Sequence, residues 1–471
     1  MADRARVCEL KTRHDPPNAD IQSTPQRLDA GKIRRPLHWL WVGLAWLVLA
    51  SGAWWLSGNP AQALAKVMDE APAFPWESSN TGFWRVEFEP RNQALVPDTQ
   101  DPEQLIREIL GALKEGQQGQ ALSIAEQLNA RFPNFQLGQL LYADLLNVTS
   151  SAPMAWSDKA AQHTPATKKR LDELTLEFER RLRREDTPHL QGKIPSAVLF
   201  LGAKQPHIVA IDTSKSRFYL FENRPTPDGI ARLHLVKERY VSVGINGIGK
   251  YQEGDGKTPI GIYFFLKNLP GKNLPDLYGA GALTLNYPNA VDVMRQKTGS
   301  GIWLHGTPSA QFARAPESTD GCLVLANPDM ANLLQLPDLR MTPVVIAKHL
   351  DWVPQDQESQ AFASFKPVLD LWLQSRKGQD IATLKSLYSQ RFVRDGKNLD
   401  HWWPRLTGTS ASSPTRQPLE LVSALQWQDE AQNMVVTLKD PRRSSLNGLG
   451  YLRTYWQKEN GQWRVVYEGP T

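Results

Sequence analysis

The sequence predicts a multidomain protein: a single N-terminal transmembrane helix, an α-helical spacer, a mainly-β domain and a C-terminal α+β domain. Three observations carry this. Residues 37–56 form one long apolar run without formal charge. From residue 101 apolar side chains recur at helical spacing, and from residue 194 short β-type runs between Gly- and Pro-containing turns replace them. Residues 357–471 return to helical patterns and then to strand-like runs. At about 150 residues per domain, 471 residues suggest about three folded units. With 41% hydrophobic and 22% charged residues the composition is globular and not disordered. A net charge of +5, from 54 Lys+Arg against 49 Asp+Glu, leaves no nucleic-acid footprint. A mean hydropathy of −0.44 excludes a polytopic membrane protein.

Residues 1–36 are expected to be a cytoplasmic tail and residues 37–57 an anchor. At 1.5 Å per residue the run LHWLWVGLAWLVLASGAWWL spans about 30 Å, the thickness of a bilayer core. Trp39 and Trp41 lie near one end, and Trp54 and Trp55 near the other, where membrane interfaces favour tryptophan. Lys32, Arg34 and Arg35 precede the run and no Lys or Arg follows until Lys66, so the positive-inside rule puts the rest of the chain outside the cytoplasm. The alternative is a signal peptide cleaved near Ala61-Gln62-Ala63, which exports the same residues.

Residues 58–100 read as a tether. Residues 101–190 read as a helical region. Asp101-Pro102 forms an N-cap and first-turn proline, and Leu105, Ile109 and Leu113 make a stripe. Ala121, Ala125 and Leu128 continue it in a second helix, and Leu137, Leu141 and Leu145 in a third beyond Pro133, a pair that resembles one tetratricopeptide-type hairpin. Thr164-Pro165 opens a fourth, with Leu171, Leu174, Phe178 and Leu182. Its plain role is a spacer; a partner-binding surface is the alternative. Residues 194–350 form the mainly-β domain, beginning with runs 197–201, 207–211 and 217–221. In residues 357–471, helices at 362–372 and 381–388 precede strands at 419–427, 434–438 and 450–466, the last split by a turn at Glu459-Asn460-Gly461.

The chemistry concentrates in residues 301–327. Cys8 and Cys322 lie on opposite sides of the apolar run, so no disulfide framework is available. A single thiol in an exported segment invites a chemical use. His305 lies at the end of the apolar run 302–304, and a neutral imidazole can take a thiol proton to leave a thiolate–imidazolium pair. Gly321 permits close backbone approach, and its N–H and that of Cys322 are candidate oxyanion donors. Asn327-Pro328 reads as a helix N-cap. No metal or cofactor is needed for this chemistry.

These residues resemble a family. His305-Gly306, a spacer, then Ser318-Thr319-Asp320-Gly321-Cys322 is similar to the motif of the YkuD-type L,D-transpeptidases. EGDGKTPIGIY at 253–263, after Val243-Gly244, resembles the family's strand–turn–strand block, and IVAIDTSKSRFYLFEN at 208–223 its first hairpin. The resemblance implies a β-sandwich-like domain in the bacterial envelope acting on peptidoglycan stem peptides, with Cys322 as nucleophile and His305 as base and acid, supported by Gly306, Thr319, Asp320 and Gly321. An acyl-enzyme would be resolved by an amine, giving a cross-link, or by water, giving a trimmed peptide. The implied setting is the inner membrane, with the catalytic part on the periplasmic face. Two positions depart from the pattern: Asp320 stands where the family usually has His, and Val324 where it usually has Arg. Stem-carboxylate recognition then falls to Lys257 or Arg314, with Trp303 as a further contact. Residues 357–471 resemble an NTF2-like accessory domain, and His401, Trp402 and Trp403 are either a pocket or a packed aromatic cluster. This domain order resembles the cell-shape L,D-carboxypeptidases of curved and helical bacteria. The helical and NTF2-like parts would bind partners or dimerise. A non-catalytic wall-binding scaffold is the reading from another class. The expectation is that all bond-breaking groups lie within 194–348 and that residues 361–471 form a separable module.

Overall fold

The computed structural model describes residues 101–149, 164–183, 190–225, 231–337, 339, 342–356, 359–407, 418–440 and 450–471. Cys8, the apolar run 37–56 and the tether lie outside them. Among the described residues no helix is long and apolar enough to cross a membrane.

Four helices come first: α1 (Pro102–Lys114), α2 (Gln118–Arg131), α3 (Gln136–Thr149) and α4 (Pro165–Leu182). The Asp101 side chain accepts from the Glu103 N–H at 3.0 Å, and Thr164 caps α4 through the Thr167 N–H. The helices share one apolar cluster built on Ile106, Ile109, Ala121, Ala125, Leu128 and Leu145. The stripe differs at its ends. Leu113 and Leu182 are exposed and Ile106 is buried, because a helix turning 100° per residue carries a strict i, i+4 row off the packed face. A buried ionic network binds this region to the β domain. Glu103 accepts from Arg181 at 2.9 Å and from Arg217 at 2.8 Å, and all three are almost wholly buried. Stripping one partner from such a cluster strands a buried charge.

The central sheet comprises β3 (His207–Asp212), β4 (Arg217–Pro225), β5 (Ala231–Tyr240), β7 (Gly261–Pro270), β8 (Gly281–Leu285), β9 (Trp303–His305), β11 (Leu323–Val324) and β12 (Pro343–Ala347). Its order is β11-β9-β8-β7-β12-β3-β4-β5, with β11/β9 and β12/β3 parallel. A short parallel pair, β6 (Val243–Gly244) with β10 (Glu317–Thr319), lies outside it.

The sheet divides its side chains between two cores. Val209 and Ile211, Tyr263 and Phe265, and Val344 and Ile346 enter one cluster, with Leu304, Leu323, Leu325 and Met330. Their alternates Ile208, Ala210, Ile262, Phe264 and Val345 enter a second cluster with Leu425, Trp427, Val435, Tyr455 and Val466 from the C-terminal part. Strands buried on both faces read as continuous apolar runs, as HIVAID and PVVIA do.

The C-terminal part contains α7 (Gln360–Gly378), α8 (Ile381–Ser386) and α9 (Leu399–Thr407), with α5 (Ala290–Met294) and α6 (Asn327–Leu334) belonging to the preceding domain. Helix α9 carries Trp402 and Trp403 and has no counterpart in the sequence expectation, because Pro404 interrupts its pattern. Trp403 packs edge-on against Tyr388 at 5.4 Å, while His401 is exposed, so the aromatic-cluster reading holds for the two tryptophans. The sheet order is β17-β16-β15-β14-β2, from β2 (Val198–Leu201), β14 (Glu420–Gln428), β15 (Gln432–Lys439), β16 (Tyr451–Glu459) and β17 (Gln462–Pro470). Asn460 and Gly461 take positive φ between β16 and β17, as the hairpin turn requires. Its edge strand β2 (Val198–Leu201) precedes the central sheet in the chain. The run 197–201 therefore does not open the central sheet: it pairs antiparallel with β14, Phe200 opposite Ala424. Likewise β1 (Lys193–Pro195) pairs with β13 (Trp352–Pro354). Arg295 and Lys297 reach Asp429 at 2.6 and 3.1 Å across the same junction. The two sheets share a core, a strand and charged contacts.

Candidate active site

His305 closes β9, and Cys322 immediately precedes β11. In the parallel pair Val324 lies beside His305 and Leu323 beside Leu304, and the Leu325 N–H donates to the His305 carbonyl at 2.9 Å. The pairing thus sets Cys322 one residue before, and His305 on the last rung of, the same two-rung parallel ladder. Both are buried, at 2% and 3% exposure. The thiol Sγ lies 3.6 Å from the Gly301 carbonyl.

His305 Nδ1 lies 2.7 Å from the Gly306 carbonyl oxygen. A carbonyl can only accept, so Nδ1 carries the proton and Nε2 keeps its lone pair for a second proton. Tyr278 stands edge-on to the ring at 5.1 Å and also packs on Trp303 at 4.9 Å. Burial lowers the His305 pKa to about 4, against the raising effect of the Gly306 bond, and the Arg314 charge pushes the same way as burial. His305 therefore rests as an uncharged imidazole at neutral pH, able to accept a proton. The activity should then keep its working base down to unusually low pH. The acid limb of a kcat/KM profile is expected near pH 4, and a limb near 6.5 would contradict the buried imidazole. The same group ties stability to pH. Unfolded His305 binds its proton below about 6.5 and the folded one only below about 4. Its share of stability is full above 6.5 and falls by about 3 kcal/mol as pH drops through that window.

The turn before the cysteine is held from below. Thr319 Oγ1 donates to the Cys322 carbonyl at 2.7 Å and accepts from the Gly321 N–H at 3.1 Å. The Gly321 N–H is thus engaged and not an open oxyanion donor, a correction to the sequence expectation. Gly321 has φ +121, and a Cβ there would sit 2.5 Å from the Lys257 carbonyl oxygen. Thr258 of the GDGKTPIG turn donates to the Gly321 carbonyl at 3.0 Å and accepts from the Gly244 N–H at 2.8 Å. Asp255 organises the turn by accepting from the Tyr251, Gln252 and Lys257 N–H groups and from Lys250 Nζ. Burial raises its pKa, but these bonds outweigh it and leave the carboxylate below its ordinary range.

Asn327 is also corrected. Ala326 is the N-cap of α6, and the Asn327 side chain instead accepts from the Ala280 and Thr307 N–H groups and donates to the Thr307 carbonyl. A Cβ on Gly306 would meet Asn327 Oδ1 at 2.2 Å, which explains the glycine after the histidine. Asp320 is exposed, so its carboxylate stays in water. Lys257 is half-buried beside the Gly321 backbone and makes no ion pair among the described residues. Arg314 donates to the Ser318 carbonyl at 2.7 Å. Val324 is buried, a methyl-bearing wall where a cation was looked for. Sequence reasoning missed Tyr278 and Thr258 as supports, and only Thr258 stood in a motif that could have pointed to it. Among the described residues no cluster suited to a metal occurs.

Residues 206–346 match the family model of the YkuD L,D-transpeptidase catalytic domain. The resemblance drawn from the His-Gly and Thr-Asp-Gly-Cys motifs therefore holds for this segment. No curated protein matches the chain. Among solved structures, Bd1075 of Bdellovibrio bacteriovorus is similar at 23% identity, covering 59% of this chain and 99% of that one, with a TM-score of 0.46. The helical cell shape determining protein Pgp2 of Campylobacter jejuni is similar at 20% identity, covering 58% and 95%, with a TM-score of 0.44. An NTF2-like protein of unknown function from Pseudomonas putida KT2440 is similar at 15% identity over 23% of this chain and 83% of that one, with a TM-score of 0.17.

Proposed function

We propose that this protein is a cysteine-dependent L,D-transpeptidase of peptidoglycan stem peptides. The observation that supports the reading is the β9/β11 pairing, which joins the strand directly after Cys322 to the strand that ends in His305, whose Nδ1 faces the Gly306 carbonyl and leaves Nε2 to take a proton. The thiol proton passes to Nε2 as sulfur attacks the carbonyl between an L-centre and the terminal D-residue. The tetrahedral intermediate collapses, the imidazolium protonates the departing amine, and a thioester remains on Cys322. His305 then takes a proton from an incoming amine, which displaces the sulfur and forms the cross-link. Lys257, whose backbone adjoins the Cys322 turn, supplies the cation for a stem carboxylate in this reading. Hydrolysis of the same thioester, an L,D-carboxypeptidase reaction, is the second reading. Buried Val324 favours it, since a carboxylate-binding arginine is missing where the family pattern has one.

Incubation with purified muropeptides and mass analysis of the products decides between them. Dimers indicate transfer and tripeptides indicate trimming; neither product from folded protein would leave the scaffold reading. We further propose that residues 37–56 anchor the chain in the inner membrane with the site on the periplasmic face. A reporter that works only outside the cytoplasm, fused after Thr471, should be active, and an inactive one would reverse the orientation.

A further inference from the structure

The loop 306–316 joins His305 to β10, which leads to Cys322. Its sequence from 307, TPSAQFARAP, holds a single large apolar side chain, Phe312. That ring does not rest on the central sheet. It lies 5.0 Å from both Phe132 and Phe135, at the turn between α2 and α3. Hydrogen bonds flank the wedge: the Phe312 N–H donates to the Asn134 carbonyl at 3.1 Å, and Asn134 Nδ2 donates to the Ser309 carbonyl at 3.1 Å. The hairpin packs with α1 and α4 in one apolar cluster, and the Glu103–Arg181–Arg217 network ties those two helices to β4.

From this contact two routes lead to the chemistry. The Ser309 N–H donates to Asp276 Oδ1 at 3.2 Å, in the turn whose Tyr278 stands against the His305 ring. Two residues beyond Phe312, the Arg314 carbonyl accepts from Tyr240 Oη at 2.8 Å and Ser242 Oγ at 2.9 Å, and its guanidinium holds the Ser318 carbonyl just before Thr319. Resting on the Cys322–His305 reading, we propose that Phe312 is a positioning residue: seated between Phe132 and Phe135, it lets the helical hairpin hold the active-site loop in its working geometry. The helical region is then a working part of the enzyme and not a spacer. Small displacements of catalytic groups cost large factors in rate, so a loosened loop should show in kcat before it shows in the fold.

The test uses the full chain and purified muropeptides. Phe312→Ala should lower kcat about tenfold or more, with KM and the melting temperature little changed, and Phe312→Leu should recover most of the loss. Phe132→Ala combined with Phe312→Ala should lose no more than the worse single variant, as for two residues of one contact. Asn134→Ala, at an exposed position that does not endanger folding, should lower kcat severalfold on its own. Wild-type kcat in Phe312→Ala, or losses that multiply in the double variant, would overturn the proposal. Cys322→Ala is run alongside. If it is dead while Phe312→Ala is fully active, only the wedge fails. If Cys322→Ala itself turns over substrate, the nucleophile reading fails and the wedge with it.

Discussion

Cys322→Ala should abolish turnover, with a loss of roughly 10⁴-fold or more, and the protein should still melt cooperatively. The thiol is the one group at the β9/β11 end that can form a thioester, and the oxygen of Cys322→Ser ionises too weakly to replace it. The packing cost is small: removing one buried sulfur sacrifices about 1 kcal/mol of apolar burial. The turn should survive, because Thr319 and Thr258 hold it through the Cys322 and Gly321 carbonyls and not through the thiol. The check is product formation from muropeptides, together with intact-mass detection of a covalent adduct with a carbapenem-type β-lactam. A variant that still turns over or still acquires the adduct places the nucleophile elsewhere.

A chain ending at Trp352 should fail to fold, although Cys322 and His305 are both present in it. Truncation removes Leu425, Trp427, Val435, Tyr455 and Val466, which cover Ile208, Ala210, Phe264 and Val345 on one face of the central sheet. It also strips β2 of its partner β14 and leaves Arg295 and Lys297 without Asp429. Removing a single large buried side chain costs about 3–5 kcal/mol, and several at once exceed the ~5–15 kcal/mol that holds a domain together. The expected result is loss of a cooperative thermal transition, with dye binding to exposed apolar surface. A truncated chain that melts cooperatively and still forms the β-lactam adduct would show that the second core is dispensable.

Much of the site was legible because the chemistry restricts residue type at short range. A thiol, an imidazole at a strand end and glycines beside both leave a local signature, and Gly321 and Gly306 proved to sit where a side chain has no room. Asn327 misled for an equally physical reason. A residue preceding proline at a helix start is ordinarily a cap, and only the neighbouring loops at 280 and 307 show that its side chain points elsewhere. The charge state of His305 was likewise out of reach, since its pKa follows first from burial, which sequence spacing does not report.

By itself, the sequence determined which residues are candidates for the reactive groups and where helices yield to strands. Each of these depends on a residue and its near neighbours. Only the tertiary structure decided which side chains cover the strands. It put β2 at the edge of the C-terminal sheet, merged two expected domains across one core, and seated Phe312 in the helical hairpin. Apolar burial is non-directional, so an apolar strand or a lone phenylalanine states that it needs a partner without stating which one. The partner is chosen by contacts far apart in the chain, and these exist only once the whole chain has folded.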